Sequence, residues 1–131
     1  MAGMHVLVID DEEGIRAGLK LALEDRFNVQ LACNGPEGIE KIHKNRPDVV
    51  LLDMFMEGGN GNLVLQYLAD NKIDIPVVII SAFSTEVLEK KFTQNLTHWV
   101  HYRKPIDVME LRKLLDSFGK NNGETSERRP G

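Results

Sequence analysis

Short apolar runs alternate with longer amphipathic stretches along most of the 131-residue chain, and this alternation limits its possible folds more than any other feature. Five apolar runs have the length and composition of β-strands, at residues 5–9, 27–33, 48–52, 76–80 and 99–102. After each run, apolar residues recur at helical spacing, at about 12–26, 36–44, 62–70, 85–92 and 106–118. Strands and helices in strict alternation predict an α/β domain, in which helices cover both faces of a parallel sheet.

The composition of the strands predicts their order in this sheet. The runs at 48–52 and 76–80 are continuously apolar, as expected of central strands that are covered on both faces. The run at 27–33 alternates apolar and polar residues, which suggests a strand near an edge. Right-handed crossovers leave few topologies for five such units. The flavodoxin-like order 2-1-3-4-5, a doubly wound (βα)5 fold, fits the count and places both apolar runs inside the sheet.

Size, charge and cysteine content argue against several other classes of protein. We expect one ordered domain over 1–118, and a disordered tail or the start of a linker over 119–131, which is rich in Gly, Asn, Ser and charge. Cys33 is the only cysteine, so no internal disulfide can form and a reducing cytoplasm is the expected compartment. There is no secretory-signal pattern, no membrane-spanning run and no basic stripe, and the net charge is -4. We therefore expect no contact with membranes and no direct binding to nucleic acid.

Acidic residues follow two strands that the predicted order makes neighbours. Asp10 and Asp11 follow the first strand, and Asp53 follows the third. In sheets of this kind, ligands bind beyond the carboxyl ends of the strands where the strand order reverses. Three carboxylates in one crevice repel one another, and oxygen ligands suit a hard cation such as Mg²⁺. Alternatively, Asp10 or Asp11 caps the next helix and Asp53 is a turn residue, but both sets meeting at the reversal point favours a metal site.

Two further polar residues follow strands towards the same edge of the sheet. Ser81 closes the fourth strand, and Lys104 follows the fifth, just ahead of Pro105. A hydroxyl can donate to a phosphoryl oxygen, and an ammonium can neutralise its charge. Taken singly, Ser81 is better explained as a turn or capping residue, and Lys104 as a surface lysine. Taken with the three aspartates on neighbouring strand ends, they favour a functional site.

Together these residues resemble the signature of response-regulator receiver domains, over about residues 4–118. The matching motifs are Asp10-Asp11, Leu51-Leu52-Asp53, Met56, Gly61, Ser81-Ala82 and Lys104-Pro105. The resemblance implies a cytoplasmic two-component switch that is activated by phosphorylation. Asp53 would accept a phosphoryl group, in a Mg²⁺-dependent reaction, from a phosphohistidine on a sensor histidine kinase or a histidine phosphotransfer protein. Such a protein catalyses its own aspartyl phosphorylation and slow autodephosphorylation without being a conventional enzyme.

The same resemblance implies a role for each site residue. Asp10, Asp11, Asp53 and the backbone carbonyl of Phe55 would hold Mg²⁺. Lys104 would contact the phosphoryl group, and Ser81 would swing to bond to it after transfer. In the family, the residue three before the lysine turns inward on activation. Here it is His101, whose charge could make the switch sensitive to pH.

Other positions depart from the common family pattern. Glu57 replaces a frequent proline, and Leu96-Thr97-His98 replaces a small Gly-Ala step. Phe55 and Phe83 lie at positions that flank the path of the hydrolytic water in this family. Two phenyl rings there should exclude water, which predicts a long-lived phosphorylated form; the alternative is that one or both rings only pack. Family members often form homodimers through the fourth helix, the fifth strand and the fifth helix, and this is a possible partner surface here.

Two other functions are compatible with parts of the pattern. A phosphohydrolase on a related sheet commonly has a second acid two residues after its nucleophile, but Phe55 occupies that position and cannot transfer a proton. A receiver-like interaction module that no longer uses phosphorylation is the other alternative. The complete set of site residues argues against it, whereas Glu57 and His101 leave it open.

Overall fold

A computed structural model of the protein describes residues 3–56, 61–82 and 98–120. Five parallel strands form one sheet in the order β2-β1-β3-β4-β5, which confirms the predicted order. The strands are β1 His5–Ile9, β2 Asn28–Ala32, β3 Val49–Asp53, β4 Val77–Ser81 and β5 Trp99–Arg103. The helices in the described ranges are α1 Glu13–Leu23, α2 Gly35–Lys44, α3 Gly61–Asp70 and α4 Val108–Lys120. The helix predicted at 85–92 lies outside the described residues.

The first and last of the described helices differ most from their predicted bounds. α1 ends at Leu23 rather than at about residue 26. α4 begins at Val108, two residues later than predicted, because the Asp107 carboxylate accepts hydrogen bonds from the N–H groups of Met109 and Glu110 and so caps the helix there. α4 also continues through Lys120, so the predicted domain boundary at 118 falls inside it. Residues 121–131 lie outside the described part of the chain.

Helices cover the sheet on both faces, as predicted. Successive residues of a strand point to opposite faces, so Leu7 and Ile9 of β1 pack in one apolar cluster with α2 and α3. Val6 and Val8 pack in the other cluster with α1 and α4. Every residue of β3 and β4 is buried, as their continuous apolar sequence predicted, whereas the residues of β5 are only partly buried or exposed.

Strand register and one close approach fix the edge of the sheet where the predicted site lies. Ile9 of β1 pairs with Leu52 of β3, so Asp10 and Asp53 follow as neighbours. The first residue of α3, Gly61, lies against the chain just after β3, where a Cβ would overlap the Met54 carbonyl oxygen. None of the described helices has the length and apolar character that crossing a bilayer requires.

Candidate functional site

The three aspartates predicted at the strand ends lie together. Carboxylate oxygens of Asp10, Asp11 and Asp53 are all within 4.8 Å of one another. Asp10 and Asp53 are buried and Asp11 is exposed, so the cluster opens to solvent on one side. Over the described ranges, the buried polar or charged side chains are those of Asp10, which follows β1, and of Asp53 and Ser81, which end β3 and β4. Burial of polar groups is therefore concentrated at the carboxyl edge of the sheet.

Asp10 also forms a hydrogen bond in the loop before α1, which bears on the alternative that this residue serves only to cap the helix. Its Oδ1 accepts a hydrogen bond from the Glu12 N–H at 2.9 Å, the two-residue pattern of an Asx turn. Glu12 is the N-cap residue of α1, and its side chain makes no capping hydrogen bond. Asp10 thus shapes the loop into α1 and still contributes an oxygen to the cluster.

The electrostatics of the cluster favour a bound cation or a bound proton. Burial, with a further contribution from the Asp53 charge, raises the pKa of Asp10 from 3.8 to about 6. Burial also raises the pKa of Asp53, against the opposing effect of the Lys104 ammonium. The Asp11 charge raises the pKa of Asp53 further, and a backbone hydrogen bond from Phe55 lowers it. An anionic cluster of this kind is stabilised when a cation neutralises it.

Lys104, which follows β5, supplies positive charge on the side of Asp53 opposite to Asp10 and Asp11. Its Nζ lies 3.8 Å from Asp53 Oδ1, and its side chain is partly exposed whereas that of Asp53 is buried. The Lys104 N–H donates to the Ser81 carbonyl at 2.9 Å, which ties the loop after β5 to the end of β4. Asp53 therefore lies between the two carboxylates that follow β1 and the ammonium group that follows β5.

Ser81 and His101 are in direct contact. Ser81 Oγ is 3.1 Å from His101 Nε2, in a hydrogen bond whose direction depends on the imidazole tautomer. Ser81 is buried and His101 is half-buried. Burial lowers the pKa of His101, so its ring is neutral at pH 7. The two residues predicted to change position on activation thus form one pair beside the acidic cluster.

The two phenylalanines predicted to tune water access can be placed only in part. The Phe55 ring is 44% exposed, two residues after Asp53, so it stands at the solvent side of the site. Phe83 and Glu57 lie outside the described residues, as does the predicted helix that would complete the face around His101. The role of Phe55 stays a prediction.

Sequence reasoning missed Arg16, which supports the site from α1. Its Nη1 donates to the carbonyl of Asp10 at 2.8 Å and so holds the backbone that carries the acidic pair. The available signal was an arginine in the early part of a helix, where the dipole disfavours a cation unless acids lie nearby.

Comparison with known proteins gives a family match over residues 6–116, to the response regulator receiver domain. Transcriptional regulatory protein CseB of Streptomyces avermitilis is 33% identical over 132 aligned positions, which cover 93% of this chain and 53% of that protein. Sporulation initiation phosphotransferase F of Bacillus subtilis is 30% identical, and the match covers 90% of this chain and 95% of that protein. The chain thus spans about half the length of the first relative and nearly all of the second.

A solved structure agrees with the sequence matches. The response regulator protein TrrA of Thermotoga maritima, in complex with Mg²⁺–BeF, is 26% identical with a TM-score of 0.73. The similarity covers 88% of this chain and 98% of that one. The shared fold therefore extends over nearly the whole of the solved chain.

Proposed function

This chain belongs to the family of response regulator receiver domains, and on that premise we propose that it is a two-component signalling switch that accepts a phosphoryl group on Asp53. One observation carries the proposal: the carboxylates of Asp10, Asp11 and Asp53 converge within 4.8 Å, and Lys104 Nζ lies 3.8 Å from the Asp53 oxygen. Acceptance of a phosphoryl group needs both a nucleophilic oxygen and positive charge around it. The edge of the sheet supplies the nucleophilic oxygen through Asp53 and part of the positive charge through Lys104.

The donor set supports a Mg²⁺ site. Three carboxylates offer the hard oxygen ligands that Mg²⁺ prefers, and the raised pKa values of Asp10 and Asp53 indicate that the cluster lacks sufficient positive charge of its own. Asp10, Asp11, Asp53 and the Phe55 carbonyl would hold the ion. When bound, it would neutralise the carboxylates and the incoming phosphoryl oxygens. The related TrrA structure, which contains Mg²⁺–BeF, is consistent with this assignment.

The protein side chains divide the chemistry of transfer among them. An oxygen of the Asp53 carboxylate forms the new bond to phosphorus as the phosphorus–nitrogen bond of the donor phosphohistidine breaks, and the electron pair of that bond stays on the imidazole nitrogen. Lys104 Nζ, which lies 3.8 Å from Asp53 Oδ1, would face the phosphoryl oxygens and balance their charge. Catalysis therefore consists mainly of positioning and charge neutralisation, with no separate acid or base required of this chain.

The contact between Ser81 and His101 supports a route from transfer to response. The Ser81 hydroxyl has one proton, and its Oγ lies 3.1 Å from His101. In the tautomer in which Ser81 donates to His101 Nε2, that hydrogen bond must break for Ser81 to donate to a phosphoryl oxygen on Asp53. This is a local change in hydrogen bonding that biases the packing of the β5 edge.

Partners and the extent of the protein follow from the same premise. We propose a sensor histidine kinase or a histidine phosphotransfer protein as the donor, in the cytoplasm. Residues 1–118 would form the receiver, although α4 itself continues to Lys120. Homodimerisation through β5 and the neighbouring helices is a further part of the proposal.

Incubation with acetyl phosphate, with and without Mg²⁺, tests the proposal. Intact-mass and peptide measurements should show the gain of one phosphoryl group, on Asp53, only when Mg²⁺ is present. Asp53→Asn should abolish the gain, and Asp48→Asn, which changes an exposed aspartate, should leave it intact. Absence of any mass gain in wild type would favour an interaction module that does not use phosphorylation. Continuous release of phosphate without accumulation on Asp53 would favour a hydrolase.

A further inference from the structure

The loop that carries Lys104 is closed by the side chain of Tyr102. The Tyr102 hydroxyl accepts a hydrogen bond from the Asp107 N–H at 2.9 Å. It also lies 3.1 Å from the Asp107 carbonyl oxygen and 3.2 Å from Glu110 Oε1, and its single proton can go to only one of them at a time. The phenol therefore joins the last part of β5 to the first residues of α4. Lys104 lies inside the ring of six residues that this contact closes.

The far end of this loop is fixed to α4. Asp107 is both the partner of Tyr102 and the residue whose carboxylate caps the helix, through the N–H groups of Met109 and Glu110. Burial is the main cause of the raised pKa of Tyr102, and its hydrogen bond to Glu110 adds to the effect, so the hydroxyl keeps its proton at neutral pH. The Tyr102 ring packs against the apolar cluster beneath α1 and α4. The hydroxyl thus connects a packed ring to a capped helix.

The position of the Lys104 ammonium depends on the loop, because the Lys104 side chain is long and flexible. A lysine ammonium is carried on a flexible four-carbon stem, and the side chain of Lys104 is 37% exposed. β5 is an edge strand with partly buried residues, so sheet packing restrains this end of the chain less than it restrains β3. The contacts that hold the loop include the hydrogen bond from the Lys104 N–H to the Ser81 carbonyl and the hydrogen bond between Tyr102 and Asp107.

We infer that Tyr102 is a positioning residue for phosphoryl transfer, because its hydroxyl holds the β5–α4 loop so that the Lys104 ammonium faces Asp53. This inference rests on the proposed function. It assigns Tyr102 no contact with the phosphoryl group and no proton transfer. Its effect is exerted entirely through Lys104, which makes it separable from a role in stability.

Removal of one oxygen atom tests the inference. Tyr102→Phe keeps the packed ring and deletes the hydroxyl. Tyr67→Phe is the matched control, because it makes the same change in the only other tyrosine, on α3 at the opposite face of the sheet. We expect the maximal rate of Asp53 phosphorylation by acetyl phosphate to fall about tenfold in Tyr102→Phe. The Mg²⁺ concentration for half-maximal rate should stay unchanged, and Tyr67→Phe should behave as wild type.

A double-mutant cycle with Lys104→Ala separates positioning from general destabilisation. If Tyr102 acts through Lys104, Tyr102→Phe should cause no further loss of rate when Lys104 is already absent. A purely structural role predicts the same fold loss in both backgrounds. The same cycle can be measured without turnover, as the rise in unfolding temperature on adding Mg²⁺ and fluoroberyllate, and the two substitutions should again be non-additive.

The possible outcomes distinguish this inference from the function on which it rests. If wild type gains a phosphoryl group and Tyr102→Phe reacts equally fast, the inference alone is overturned. Equal losses in the Lys104 and Lys104→Ala backgrounds also overturn it. A wild-type protein that never gains mass on Asp53 overturns the proposed function, and the positioning role with it.

Discussion

Replacing Asp10 by asparagine should stabilise the metal-free protein, although it removes a residue from the centre of the site. The pKa of Asp10 is about 6 against an ordinary value of 3.8, because the carboxylate is buried beside Asp53. At about 1.4 kcal/mol per pKa unit, its ionisation costs the folded, metal-free protein on the order of 3 kcal/mol at neutral pH. Asp10→Asn removes this charge and keeps an oxygen that can accept the Glu12 N–H. We expect a net gain of about 1–3 kcal/mol, since a buried amide also has to be accommodated.

The dependence on pH distinguishes this explanation from a general packing effect. The folded-state pKa of Asp10 lies above its unfolded-state value, so the folded state binds the proton more tightly. The stabilisation that the protonated Asp10 carboxyl gives to the folded state is fully present below pH 3.8, and it is lost as the pH rises through about 6. Metal-free wild type should therefore become less stable between these limits as the pH rises. Asp10→Asn should lack that part of the slope.

Thermal and urea unfolding in EDTA, at several pH values, provide the measurement. For a domain of this size, about 1–3 kcal/mol corresponds to a rise of roughly 3–10 °C in the unfolding temperature. Mg²⁺ should stabilise wild type more than Asp10→Asn, because the variant lacks one carboxylate ligand.

The matched control is Asp48→Asn. The exposed Asp48 carboxylate also accepts one backbone hydrogen bond, from the His5 N–H at 2.7 Å, but it lies outside the acidic cluster. Its replacement should change stability by less than about 1 kcal/mol. If Asp10→Asn is no more stable than wild type in EDTA at pH 7.5, the burial of an ionised Asp10 carboxylate does not destabilise the metal-free site.

Two further predictions concern the chain on either side of the loop that follows β3. Gly61→Ala should destabilise the protein by about 1–3 kcal/mol in urea unfolding, because its Cβ would overlap the Met54 carbonyl oxygen. The control is Gly18→Ala, whose Cβ would meet nothing within 4 Å and which should be neutral or slightly stabilising. Equal effects of the two substitutions would contradict the close approach at Gly61. The sequence predicts that the Phe55 and Phe83 rings exclude water near Asp53, so the phosphorylated form should be long-lived and Phe55→Gln should shorten its lifetime several-fold. Loss of radiolabel from the purified phosphoprotein in Mg²⁺ measures this, and a wild-type lifetime of seconds would be evidence against it.

The sequence predicted the sheet and the acidic cluster because both depend on strand ends. Continuous apolar runs identified β3 and β4 as central, and the reversal of strand order beside β1 brought Asp10 and Asp53 together. The position of a side chain at the end of a buried strand is largely fixed by the packing of the sheet. Even a shift of one residue in the predicted strand bounds left the acids at the same edge of the sheet.

The supporting contacts could not be predicted, because they depend on the reach of long side chains between elements. Arg16 reaches back from α1 to the Asp10 carbonyl, and Tyr102 reaches forward over the loop to Asp107. The sequence placed Tyr102 in a strand and Lys104 just beyond it, but gave no reason to connect the strand to the next helix. The contact between Ser81 and His101 likewise requires the register of β4 against β5, which apolar periodicity does not define.

Burial along the sheet suggests why the response should arise on one side of the site. Asp53 ends a strand whose every residue is buried between two apolar layers, so moving its backbone would disturb the whole core. Lys104 and His101 belong to β5 or its loop, where residues are partly buried and a single neighbouring strand supplies the ladder. Displacement costs less at this less buried edge of the sheet. On the proposed function, the fully buried centre of the sheet would receive the phosphoryl group, and β5 with the loop that follows it would be the element whose packing responds.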